Sequence, residues 1–287
     1  MMRSAKFVLV LLCFNAIGVL AQKPRGYDLK KGDVYIMTAT VKQDIQQQVQ
    51  GQSLSTDQNL INTDKLEVMA VDGDVYTIKV TGVRRVISLK SPMGNTEMDS
   101  DDQDQTSLPL RIMNGKSYTV EMNRLGKILS ISGTSDMRDA IRNEFNNVGM
   151  GAVADQMLTN YNDDLLKNSM ESLMAIYDQD NGADWTIKTA SVVNNIPVEM
   201  ENTFSWSDDD TLLALAKINV NGTMSVMGTE VNTEMNGNQE TTIDLDVKTG
   251  MPKKVKAIQT VEGKLYAPGI TIPMTIISET NTTFEKK

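Results

Sequence analysis

The sequence predicts an α+β fold: a long, curved antiparallel β-sheet, half-barrel-like, packed on a central helical insert. Three observations predict it. Two stretches of alternating, turn-punctuated sequence flank a single helical span. The first alternating run, Tyr35 to Val49, is much longer than the usual strand of about five or six residues. The apolar stripes of the helical span need a surface to cover them, and a sheet is the available one.

The helical span runs from Ser135 to Tyr177. Ser135 is placed to cap the first turn, and Ile141, Phe145 and Val148 follow at the spacing of one helix face. Gly149-Met150-Gly151 predicts a bend, because paired glycines are poor helix formers. Val153, Met157, Leu158 and Tyr161 make a second stripe, and Leu166, Met170, Leu173 and Tyr177 a third. The pattern predicts two or three amphipathic helices.

The chain opens with basic Arg3 and Lys6, an apolar run from Phe7 to Leu20, and a compact Val19-Leu20-Ala21. That order is a secretory signal peptide, expected to be cleaved after Ala21 and too short for a comfortable membrane span. The expected location is therefore secreted or periplasmic. The signal holds two of the 28 basic residues and none of the 37 acidic ones, which leaves a net charge of −11. An acidic exported protein has no electrostatic pull toward nucleic acid or an anionic membrane. The one cysteine, Cys13, leaves with the signal, so the mature chain has no disulfide.

The chain has no histidine, which removes Ser-His-Asp and Cys-His catalysis and His-ligated metals. The expectation is a non-enzymatic protein with no cofactor and no metal. The acidic stretch Glu97, Asp99, Asp101, Asp102 and Asp104 offers calcium-type oxygens. It lacks the glycine and terminal glutamate of an EF-hand loop, so a solvated loop is the favoured reading. Gly149-Met150-Gly151-Ala152-Val153-Ala154 has the G-x-G-x-x-A form, but it follows a polar helix rather than a buried strand.

The remaining residues read as strands and turns. Gly51-Gln52 permits a turn after the long first strand, and apolar character resumes from Leu60 to Val71. Asp72-Gly73-Asp74 between two apolar runs is a strong hairpin signal. Gly82 and a change of phase near Arg84-Arg85 predict a bulge. Beyond the helices, Ile196, Val198, Met200, Asn202, Phe204 and Trp206 share one strand face. Asn221-Gly222 reads as a turn or bulge, and Pro273 favours an edge position for the last strand. Asn114-Gly115 and Asn236-Gly237 open similar motifs in the two halves, from duplication or from common turn chemistry.

The expected organisation is a signal peptide over 1–21 and one α+β domain over 22–287. That domain comprises a β half at 27–133, the helical insert at 135–178 and a β half at 184–285. Two β domains joined by a helical linker is the alternative. The 19 methionines, many on apolar faces, fit either core filling or an adaptable cavity wall. The expected function is binding of an apolar or lipid-like ligand between sheet and helices. Its candidate lining is Phe145, Met157, Tyr161, Leu166, Met170, Leu173, Tyr177, Phe204 and Trp206. The alternative is a structural or protein-interaction module of the cell envelope with a solid core.

Residues Gly26 to Tyr35, the Asp72-Gly73-Asp74 hairpin, Asp184-Trp185 and Asp246 to Gly250 resemble a family of secreted Bacteroidota proteins of unknown function. The resemblance covers most of the mature chain and implies fold rather than activity. In layout the chain is similar to periplasmic lipoprotein carriers of the LolA type, which implies a curved sheet holding acyl chains against helices.

Overall fold

The computed structural model describes residues 24–92, 94–158, 161–178, 184–193, 196–226 and 229–287. The signal peptide expected over 1–21, with Cys13, lies outside the described residues, as do Gly182-Ala183 and the turn at Asn194-Asn195.

Long alternating runs of apolar and polar residues fold as long strands. These are β1 (Val34–Val49), β2 (Gln52–Asp72), β3 (Val75–Ser91), the short β4 (Gly94–Asp99), β5 (Ser117–Asn123) and β6 (Ile128–Ser132). After the helices come β7 (Asp184–Val193), β8 (Ile196–Trp206), β9 (Thr211–Val226), β10 (Thr229–Leu245), β11 (Pro252–Ala267) and β12 (Ile270–Lys286). The helices are α1 (Leu108–Met113), α2 (Thr134–Asn147), α3 (Gly151–Leu158) and α4 (Asp163–Met174).

All twelve strands form one antiparallel sheet in the order β6-β5-β3-β2-β1-β12-β11-β10-β9-β8-β7, with β4 added to the side of β3. The first and last strands meet in the middle, in register from Tyr35 opposite Lys286 to Gln47 opposite Met274. The two halves of the chain are thereby joined by a central strand pair.

This architecture corrects the α+β expectation with its central helical insert. Strands take 62% of the chain and helices 16%, in an open curved sheet of twelve strands. The physical reason is visible in the core. Tyr35, Leu66, Ile78, Val120, Ile128, Phe204, Leu212, Ile243, Val255 and Phe284 bury one another in a single cluster. Strands this long curl enough to close a core largely from their own inner faces, and of the helices only α4 contributes to that cluster. The apolar stripes of α1, α2 and α3 pack mainly on each other, around Ile112, Met137, Ile141, Phe145, Ala154 and Leu158.

The helices cover the sheet's flank and its seam. β6 and β7 end the main strand order, and α4 packs against both. Glu171 on α4 accepts the backbone N–H of Ile128 at 3.2 Å, satisfying a donor near the start of edge strand β6. Asn162 caps α4 by accepting from the Leu165 N–H at 2.9 Å. The expected cap at Ser135 is not formed: Gly133, with φ 79°, precedes the helix and provides no side-chain cap.

Below the sheet, the segment leading into β1 crosses the core. Tyr27 is wholly buried and stands edge-on to Tyr177 at 5.2 Å between ring centres. Tyr76 donates to the Tyr27 carbonyl at 2.7 Å, and Tyr177 donates to the Gly250 carbonyl at 2.6 Å. Three phenols thus tie the entering strap to β3, the chain after α4 and the β10–β11 loop.

Asn221-Gly222, expected as a turn or bulge, and Asn236-Gly237 fall inside β9 and β10, in unbroken register with each other's strand. A Cβ on Gly237 would come within 2.3 Å of the Thr260 carbonyl oxygen, and one on Gly263 within 2.1 Å of that of Glu234. The glycines are there because adjacent backbones approach this closely where the sheet curls. The paired Asn-Gly motifs therefore differ in structure, since Gly115 has φ 75° in the loop before β5. Pro273 lies in a central strand, one residue beyond the last β1 partner, Met274. It pairs with Lys264 of β11.

Candidate functional site

Alternation along β2 puts Leu60, Asn62, Asp64 and Leu66 on the inner face. On β3 the inner set begins as Tyr76, Ile78, Val80 and Gly82. Gly82 pairs with Asp64 and Arg84 with Thr63, leaving Val83 as an extra, bulged residue. The bulge changes the sequence phase, so that Arg85, Ile87 and Leu89 continue the inner face. Arg84 turns outward and pairs with Asp99 and, at 3.2 Å, with Asp101.

Arg85 therefore enters the space between the sheet and the helices, where it forms an ion pair with Asp64. Their side chains are 17% and 13% exposed, so the pair is largely removed from water. Arg85 also donates to the carbonyls of Thr63 and Arg84 at 2.7 and 2.8 Å. Burial pushes the Asp64 carboxyl above its usual range, against the opposing pull of Arg85. Burial likewise pushes the neighbouring Tyr118 phenol well up, so that it stays a neutral hydroxyl.

Above this pair is a cavity of about 500 Å³. Its sheet wall comprises Met37, Ala39, Leu60, Asn62 and Ile87 around Asp64 and Arg85. Its helical wall comprises Leu110, Met113, Met137, Met157, Leu166 and Ser169, with Tyr161 between α3 and α4. Gly82, Lys116 and Tyr118 complete the lining, and Lys116 is paired with Glu144 of α2.

Of the residues singled out in the sequence, Met157, Tyr161 and Leu166 line this cavity. Phe145 is fully buried among α1–α3. Met170, Tyr177 and Phe204 are buried in the main core, with Leu173 and Trp206 packed against it. The structure thus brings three of the nine to the cavity and places six in packed interior. The polar floor, Asp64 and Arg85, was not among them. Its signal was present: an acid and an arginine on the otherwise apolar phase of two paired strands.

Part of the acidic stretch belongs to a strand, since Glu97 and Asp99 lie in β4. Among the described residues, no group of three or more Asp, Glu, His or Cys gathers as metal ligands. Arg111 donates to the carbonyls of Asp102 and Asp104, holding the loop against α1. No described helix is long and apolar enough to cross a membrane.

The fold and site define a curved antiparallel β-sheet protein with an apolar cavity over a buried ion pair. The chain belongs to DUF6263, a family of unknown function, whose match spans residues 73–252. No protein with a curated function matches it in sequence. Among solved structures it is similar to lipovitellin, in a study of lipid–protein interactions, at TM-score 0.50 and 11% identity. That likeness covers 90% of this chain but only 25% of the other, and it shows a shared fold. An outer-membrane channel from Pseudomonas putida F1 aligns over 90% of this chain and 97% of its own at 10% identity. Its TM-score of 0.30 is too low to relate the two folds.

Proposed function

We propose that this chain is an exported, non-enzymatic protein that holds an apolar, lipid-like ligand between β1–β3 and the helices. The observation that carries the reading is the cavity itself. A space of about 500 Å³, partly open to solvent, falls in the range of small-molecule sites, roughly 300–1,000 Å³. Four of its walls are methionines, Met37, Met113, Met137 and Met157, whose flexible thioethers adapt to varied apolar shapes.

The fold shared with lipovitellin, a protein studied for its lipid contacts, supports the same direction. The chain's lack of histidine supports binding over catalysis, because it removes the commonest general base. Export rests on the pattern of residues 1–21, and it places the ligand in the periplasm or outside the cell.

Native mass spectrometry of protein purified from its own host, followed by lipid extraction, tests the reading. The expected result is a bound species of lipid mass recovered in the extract. A spectrum of the bare chain alone, with an empty extract, would count against it.

A further inference from the structure

The cavity is apolar along its walls and charged at its floor. Among the described residues, three ionisable side chains other than tyrosine line it: Asp64, Arg85 and Lys116. Glu144, the partner of Lys116, does not line the cavity. Each cation already has an anionic partner, so a preference for an anion rests on the geometry of the N–H donors and not on net charge. Arginine presents five N–H donors in a fixed fork, suited to planar oxyanions. Three of those donors go to Asp64, Thr63 and Arg84. Tyr118 and Tyr161 line the same space, and the Tyr161 side chain is hydrogen-bonded with Arg85.

A space of about 500 Å³ accommodates a single medium-length chain.

We infer that the ligand is a single-chain anionic amphiphile, a carboxylate whose head meets Arg85 and Lys116 and whose chain lies along the methionine wall. This rests on the ligand-binding reading above and names its ligand class. Asp64 has two parts in it. It keeps Arg85 in place when the cavity is empty, and it limits affinity by sharing the guanidinium with the incoming head.

Titration with dodecanoate, dodecan-1-ol and dodecylammonium, each below its micelle-forming concentration, separates the possibilities. Displacement of a neutral fluorescent alkyl probe gives the affinities. The expected order is acid over alcohol by tenfold or more, with the ammonium weakest. In the double variant Asp64→Leu/Arg85→Met the preference for acid is expected to fall at least fivefold. In Lys116→Met a smaller fall of about threefold is expected. The series on the unaltered protein decides the matter even if the double variant fails to fold. Equal binding of acid and alcohol would overturn the anionic head while leaving the apolar cavity in use. Tightest binding of the ammonium would overturn it in favour of Asp64 as anchor. No binding of any of the three would remove both readings.

Discussion

The phenol of Tyr27 donates a hydrogen bond to the carbonyl oxygen of Met174 at 2.8 Å, across 147 residues of sequence. One end of this contact is the strap that precedes β1, and the other is the last turn of α4. Because α4 packs on both strands that end the main strand order, the bond fixes the element that covers the seam.

Replacing Tyr27 by Phe keeps the ring and leaves the Met174 carbonyl without this partner. The expected loss is about 1–2 kcal/mol in urea denaturation. Tyr27→Ala removes a fully buried ring and is expected to cost about 4 kcal/mol.

Asp64 and Arg85 have different consequences singly and together. Asp64→Leu or Arg85→Met alone strands one largely buried charge, with an expected cost of about 3 kcal/mol. The double replacement removes both charges and is expected to cost well under the sum of the two. A double-mutant cycle in chemical denaturation measures the coupling directly.

Gly263 is required by backbone proximity, since its φ is not among the positive values. Gly263→Ala drives a methyl group into the Glu234 carbonyl and Met235, with an expected cost of roughly 2–3 kcal/mol. Circular dichroism during thermal unfolding should show a lowered midpoint with unchanged strand content.

Asp99 is held below the usual carboxylate range, first by its hydrogen bond from Arg84 and then by the Asp101 N–H. A carboxyl with a depressed folded-state pKa stabilises the fold above its unfolded value, about 3.9. That stabilisation is lost as pH falls through the depressed value. Wild type and Asp99→Asn should therefore differ in denaturation midpoint at pH 7 and converge as pH drops below about 4.

Much of the sheet was legible, because period-2 alternation is a local property. It gave β1 almost to the residue, and the change of phase at Arg84-Arg85 marked the Val83 bulge that turns Arg85 inward. Glycine was less legible. Gly51, with φ 81°, and Gly237, pressed on the neighbouring strand, look alike in sequence yet serve opposite ends. The amphipathic stripes of α2 and α3 are legible as stripes, but periodicity does not say what covers them. They turned to α1, a short helix that no alternation announced, rather than to the middle of the sheet. The site suffered similarly: apolar side chains of the core and of the cavity are chemically the same. Only the charged pair among them distinguished one from the other.

The most direct test is to fill the cavity. Ala39 lines its sheet wall, so Ala39→Phe places an aromatic ring in the space without disturbing the floor. Titration of a fluorescent polyene fatty acid against both proteins, with urea unfolding alongside, is the measurement. Saturable one-to-one binding by the unaltered protein is expected. At least a tenfold loss is expected in Ala39→Phe, with an unfolding midpoint equal or higher. Equal binding by the two proteins, or none by the unaltered one, would contradict it.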